Sequence, residues 1–276
     1  MTISRTIVLV SLNKKYLIVS AGKETGFIMS LWITSTVAAL TALVICGFIY
    51  LRMIKREVPE TIGKLRAFLP VVLGGICMPV SGACGLGILA AFKRIGIGME
   101  TLPSLPAAFF TAFFMAGFVE ELFKFLVIII MMVVLKDKIN NVYEYILLGA
   151  AVGFGFTVVE DFSYGNSIAA LLTRMPLMFT HMTLNMIMGE FLGRAQYNKR
   201  HGNGPTALYW VLALVIPTAL HTLYDAGTVA NYPAFIDNDF AVGGTLGGIA
   251  ILTNLVLMIH VLVRARKKAA GLSALT

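Results

Sequence analysis

Glu120, Glu121 and Lys124 interrupt an otherwise apolar run from Leu105 to Leu135, and three later apolar segments carry Glu160 with Asp161, then His181, then His221 with Asp225. An ionisable side chain at the centre of a membrane helix costs roughly 2.5–3.5 kcal/mol on insertion scales, so such groups face a protein interior or a water-filled cavity and mark function. Carboxylates and imidazoles are the usual general bases of hydrolysis and also common ligands of zinc. Peptide hydrolysis inside a membrane needs a water, a base to activate it, groups that stabilise the oxyanion, and a cavity that admits both water and substrate. The side chains for each task are present in this set.

Spacing limits how these groups can meet. On a helix Glu120 and Lys124, four residues apart, share one face, while Glu121 points about 100° away. An internal Glu120–Lys124 ion pair is the plain structural account, and it leaves Glu121 needing a partner from elsewhere. Glu160 shares a face with Phe156, and Gly149 with Gly153 forms a small-xxx-small pair that lets another helix come close. His181 and Asn185 are four apart, as are His221 and Asp225, so two helices each offer an imidazole with an oxygen-bearing partner one turn later. Pro176 and Pro217 precede the two histidines and can kink those helices. At about 1.5 Å per residue, Glu120, Glu160 and His221 lie roughly 20 Å from the starts of their helices, and His181 lies nearer its start. Glu190 beside Arg194 and His260 near Arg264 read as interfacial groups, and His201 falls in a loop.

The elements that must position these residues are membrane helices. The chain has 276 residues, 58% of them apolar, and a mean hydropathy of +0.85, too few polar residues to cover a soluble globule. About 20 apolar residues cross a hydrocarbon core of about 30 Å, and backbone hydrogen bonding inside lipid then demands helices or a closed barrel. Strand-period alternation is absent, so the expected class is all-α: a polytopic membrane protein with about seven transmembrane helices. The spans are predicted at 27–51, 68–92, 106–135, 142–166, 173–193, 206–229 and 239–263, with the site on the third to sixth. Residues 27–268 form one transmembrane domain with its motif-bearing core at 105–230, followed by a cytoplasmic tail at 269–276. Glycines 74, 75, 82, 85 and 87 suit the second span to close packing. The longest polar stretch, Arg194 to Pro205, is 12 residues, so function is expected within the membrane.

The net charge of +8 is a topology signal, because basic residues gather between apolar runs and no aromatic-interleaved basic stripe fits nucleic acid. The connections at Arg52 to Arg66, Lys136 to Lys138 and Arg194 to Arg200, with the C-terminal Arg264 to Lys268, hold fourteen basic residues against seven on the other side. The positive-inside rule then predicts the N-terminus outside and the C-terminus cytoplasmic. Residues 1–26 hold two apolar patches broken by Lys14 and Lys15, each too short to span. Met29 directly precedes a clean span and is a candidate start of translation; N-terminal sequencing that recovers residues 1–10 excludes it. Cys46, Cys77 and Cys84 are odd in number, lack CxxC spacing and are expected as buried structural thiols.

Other intramembrane protease signatures are missing: there is no HExxH, no GxSG and no GxGD. An aspartyl dyad of Asp161 and Asp225 stays open. The ordered set of Glu120-Glu121 with Lys124, a GxGF stretch leading to Glu160, then His181, then His221 with Asp225 resembles the PrsW family of intramembrane proteases. That family is related to the CAAX- and bacteriocin-processing protease clan, and the resemblance covers about residues 105–230. Relatives often carry Glu-Asn where this chain has Glu160-Asp161, which leaves the role of the second position open. The resemblance implies site-1 cleavage of a single-pass, membrane-anchored regulatory protein of the anti-sigma-factor type, on the extracytoplasmic side of the cell membrane. It implies Glu120 as the base on water, Glu121 as its electrostatic partner or a second ligand, and His181 as base or ligand. His221 and Asp225 orient the scissile carbonyl or stabilise its oxyanion, and Lys124 balances charge. A zinc or other divalent ion on Glu121, Glu160, His181 and His221 would keep an open position, and the same groups could also work without metal. The competing classes are a proton-coupled transporter, which also places carboxylates and histidines in spans, and a non-catalytic relative that binds membrane proteins.

Overall fold

Asn141 and Glu144 open the central helix with a reciprocal cap: the Glu144 amide donates to Asn141 Oδ1 at 3.1 Å, and the Asn141 amide donates to Glu144 Oε2 at 3.3 Å. Two amides that the first helical turn leaves without a partner are satisfied in this way. The computed structural model describes residues 21–57, 63–98, 101–164, 177–202, 204–228 and 240–270. Its elements are α1 (Ala21–Ile54), α2 (Lys64–Arg94), α3 (Ser104–Ala112), a π-helical turn (Phe113–Gly117), α4 (Phe118–Val134), α5 (Val142–Tyr164), α6 (Thr180–His201), α7 (Thr206–Thr228) and α8 (Phe240–Ala270). Among the described residues there is no strand, and the fold is all-α.

Among the described residues four helices are long and apolar enough to cross a membrane, over Leu31–Ile54, Arg66–Arg94, Val142–Tyr164 and Thr206–Gly227, and α8 contributes a shorter apolar stretch at Ile251–Arg264. Two of the seven expected spans take a different form. The span at 106–135 is broken by the π turn into α3 and α4. The span at 173–193 is displaced, because α6 begins at Thr180 and runs on to His201, while Pro176 lies outside the described residues. Gly202 ends α6 with a left-handed φ of 65° and an amide that donates to the Asn198 carbonyl, the arrangement glycine favours just past a helix. Helix α6 carries more polar residues than a lipid-facing helix tolerates because protein encloses it: twelve of its residues, from Thr180 to Ala195, are buried.

Helix α5 is the axis of the bundle. In its most apolar stretch 83% is buried, against 28%, 22% and 22% for the other three spans. Glycines set the approach distances. A Cβ on Gly149 would overlap the Asn185 carbonyl of α6, one on Gly153 would lie 2.6 Å from Met182 Cα, and one on Gly155 would overlap the Val71 carbonyl of α2. The small-xxx-small pair is therefore where α6 docks, and Gly74 of α2 meets the Val152 backbone in the same manner. Gly153→Val is expected to force α5 and α6 apart and destabilise by about 1–3 kcal/mol or more, read as a lower Tm in detergent. Gly82→Val is the matched control, because nothing lies within 4 Å of its added Cβ.

Trp32, Leu40 and Val44 on α1, Val72 and Ile76 on α2, and Ile130 and Val133 on α4 are exposed apolar side chains. They form the outer surface that hydrocarbon covers. Cys46 and Cys77 are buried, as expected, whereas Cys84 is exposed, because it sits on the outward side of α2.

Candidate active site

The π turn lies directly before the two catalytic candidates on α4. Its last residue, Gly117, is pressed against α7: a Cβ there would overlap the Thr222 hydroxyl and lie 3.0 Å from the Thr222 amide. One extra residue in a π turn re-phases the following helix by about 100°. Glu120, Glu121 and Lys124 are thereby presented to α7 and to the start of α6.

Lys124 is fully buried, and its ammonium donates to Glu121 Oε1 at 2.8 Å, to Glu120 Oε2 at 3.3 Å and to His181 Nδ1 at 2.9 Å. It also lies 3.6 Å from the centroid of the Phe156 ring, a cation–π contact. With an ammonium at Nδ1, the His181 ring proton sits on Nε2 and is donated to Glu160 Oε2. His221 is oriented from below, since its Nδ1–H donates to Glu121 Oε1 at 2.9 Å. That bond turns His221 Nε2 toward Glu120 Oε2 at 3.9 Å and Asp225 Oδ2 at 3.7 Å. The two imidazole rings stand 5.0 Å apart, edge to face.

Seven of the eight ionisable residues singled out by type and spacing fall in one connected cluster: Glu120, Glu121 and Lys124 from α4, Glu160 from α5, His181 from α6, and His221 with Asp225 from α7. Their pairing differs in detail. Glu121 is closer to Lys124 than Glu120 is, and its further partner is His221. Asn185 does not meet the His181 ring; its Nδ2 donates to the His181 carbonyl at 2.9 Å. Asp161 is buried within electrostatic range of Cys46 on α1, and Asp225 pairs with His221. Phe156, which packs on both His181 and Lys124, and Thr222, which sets the Gly117 contact, were not singled out as site residues. Phe156 stands one turn before Glu160 and Thr222 directly follows His221, and those positions were the available signal. Outside the cluster, Glu190 accepts from Arg194 at 2.9 Å and Arg264 at 3.0 Å.

The donor chemistry fits a divalent cation. Glu120, His181 and His221 each offer one ligand atom, and these atoms lie within 4.8 Å of one another. Four carboxylates, Glu120, Glu121, Glu160 and Asp225, gather around a single lysine with side-chain exposures of 12%, 0%, 13% and 17%. Such an excess of negative charge is costly away from water. Glu121 Oε2 is moreover buried with no hydrogen-bond partner. Imidazole nitrogen and carboxylate oxygen are both zinc ligands. The set expected from sequence was Glu121, Glu160, His181 and His221; the geometric group shares its two histidines and adds Glu120, while Glu121 Oε1 is engaged by Lys124 and His221. Coordination through His181 Nε2 would displace the proton that this nitrogen now shares with Glu160.

The profile of the PrsW family of intramembrane metalloproteases matches residues 64–263. The chain is 33% identical to Protease PrsW of Halalkalibacterium halodurans over 118 residues, 42% of this chain and 53% of that protein. It is 31% identical to Protease PrsW of Bacillus subtilis over 121 residues, 43% of this chain and 54% of that protein. The chain thus spans about half the length of the curated relatives it matches. No solved structure matches it. The matched segment contains every helix that contributes to the buried cluster, and the chain belongs to the PrsW family of intramembrane metalloproteases.

Proposed function

We propose that this protein is an intramembrane endopeptidase that makes a site-1 cut in a single-pass, membrane-anchored regulatory protein of the anti-sigma-factor type, on the extracytoplasmic side of the cell membrane. The observation that carries this is the gap between Glu120 Oε2 and His221 Nε2. At 3.9 Å it is too long for a direct hydrogen bond, and His181 and Asp225 border it. A water or an ion between those atoms meets carboxylate on one side and imidazole on the other.

Glu120, His181 and His221 would hold a divalent cation, with zinc the first candidate. Such a cation supplies Lewis acidity toward the scissile carbonyl and its water when bound. Glu121 positions rather than reacts: it accepts the Nδ1 proton of His221 and so fixes the face that Nε2 presents, an outer-shell role common around metal-binding histidines. Asp225 borders the same imidazole from the next turn of α7. Lys124 offsets the charge of Glu121 and Glu120 and has every N–H donor engaged. Glu160 is partly exposed beside His181 and takes the proton of the attacking water. The family resemblance had implied Glu120 for that task; the move to Glu160 is supported by the place of Glu120 in the three-donor group.

The depth of the cluster supports the sidedness. Glu160 lies four residues before the end of α5, and His181 is the second residue of α6. Both stand toward one face of the membrane, and the basic-residue bias makes that face the outer one, with the N-terminus outside and the C-terminus cytoplasmic. In liposomes holding a single-pass substrate, the zinc-loaded protein is expected to cut it. Exhaustive chelation should lower the rate by at least about a hundred-fold, zinc should restore it, and elemental analysis should find about one ion per chain. Full activity after complete metal removal would eliminate the cation from this scheme. Failure of the loaded protein to cut any candidate would favour a transporter or a binding protein.

A further inference from the structure

Far from the catalytic cluster, where α1 ends, Arg52 and Arg56 stand at a groove of about 390 Å³ walled by α1, α5 and α8. Its apolar side includes Phe48, Ile259 and Val263, all exposed. Tyr143 closes the inner end with its hydroxyl already committed, donating to the Met53 carbonyl at 2.8 Å. Both arginines are exposed. Arg52 Cζ lies over the Phe48 ring at 4.9 Å, a cation–π contact of the kind guanidinium groups make with aromatic faces. The neighbouring carboxylate, Glu57, is buried, in contrast to the two exposed guanidinium groups.

Depth identifies what this surface fits. The apolar span of α1 closes at Ile54, so Arg52 and Arg56 flank the point where the helix leaves hydrocarbon, at the level of lipid phosphates. Phe48, one turn before Arg52, lies on the hydrocarbon side. An occupant must be anionic at one end and apolar along its length, and it must reach the groove from within the bilayer. We infer that the groove binds an anionic phospholipid, with its phosphate on Arg52 and Arg56 and an acyl chain along Phe48, Ile259 and Val263. Guanidinium forks match phosphate oxygens in pairs, and basic pockets between membrane helices are established headgroup sites. A soluble phosphate would use the arginines and leave the apolar wall without a role.

The test is native mass spectrometry of the purified full-length protein titrated with phosphatidylglycerol or with phosphatidylcholine of the same chain lengths. The wild type should retain phosphatidylglycerol at least about ten-fold more strongly. The double substitution Arg52→Gln with Arg56→Gln should erase that preference. Val263→Trp, which fills the acyl slot and keeps both arginines, should weaken phosphatidylglycerol binding about ten-fold, and excess glycerol phosphate should not displace the lipid. Equal retention of the two lipids by the wild type would overturn the assignment, as would a preference that survives the double substitution. Displacement by glycerol phosphate alone, or Val263→Trp binding like wild type, would reduce the groove to a plain anion site and overturn it as well. Should the double variant fail to fold, the wild-type comparison and Val263→Trp decide between these results.

Discussion

Glu120→Gln is expected to lose nearly all cleavage in proteoliposomes and to fail to retain a divalent cation, while the helical bundle stays folded. Glutamine keeps the size of the side chain and an oxygen that accepts from Lys124, so the 3.3 Å contact survives. What disappears is a negative charge from a site that holds four carboxylates against one lysine. The fold should therefore tolerate the change, and the donor group of Glu120, His181 and His221 loses its only anionic member. The expected loss in rate is about 10²–10⁴-fold, the range associated with removing a positioned catalytic group. Glu160→Gln is the informative companion, with a similar loss of rate and the metal still bound. A Glu120→Gln protein that keeps its ion and loses only rate would return the proton-accepting role to Glu120. One that keeps both would remove Glu120 from the chemistry altogether.

Lys124→Met has the largest expected effect on stability. The side chain is fully buried, its ammonium engages two glutamates and a histidine, and Phe156 covers it. Methionine fills much of the same volume but leaves Glu121 charged, buried and without its closest cation. Breaking a buried pair from one side costs about 3–5 kcal/mol, because the remaining charge stays uncompensated. The variant is expected to accumulate poorly or to melt at a much lower temperature. Adding Glu121→Gln should recover part of the loss, since it removes the stranded charge; such non-additivity is the signature of two groups in contact. Arg194→Met provides the contrast: that side chain is 34% exposed, and its ion pair with Glu190 is worth about 1 kcal/mol or less. Equal stability for Lys124→Met and wild type would mean that the cluster is already neutralised by protons.

The residue types of the site were legible because polar groups inside apolar runs are expensive and stand out against the composition. Which glutamate does what was not legible. Counting along one continuous helix pairs Glu120 with Lys124 and leaves Glu121 without a partner. Its partner is His221, 100 residues away along the chain, and only tertiary packing brings α7 there. The π turn that sets the phase of α4 shows in the sequence as a single glycine, Gly117, whose need for close approach depends on Thr222 across the interface. The helical class and the four strongly apolar spans followed from length and hydropathy. Helix α6 escaped that logic because its environment is protein: apolar counting centred it at 173–193, whereas capping at Gly202 and burial by its neighbours fix it at Thr180–His201.

The enclosure of α6 also bears on biogenesis. A nascent segment carrying Glu190, Arg194, Lys199 and Arg200 among its apolar residues partitions weakly into lipid on its own. Its place in the bilayer therefore depends on the protein surfaces that enclose it, first among them the glycine-faced side of α5. The buried cluster draws a residue from each of α4, α5, α6 and α7, so it is complete only once all four helices have packed together.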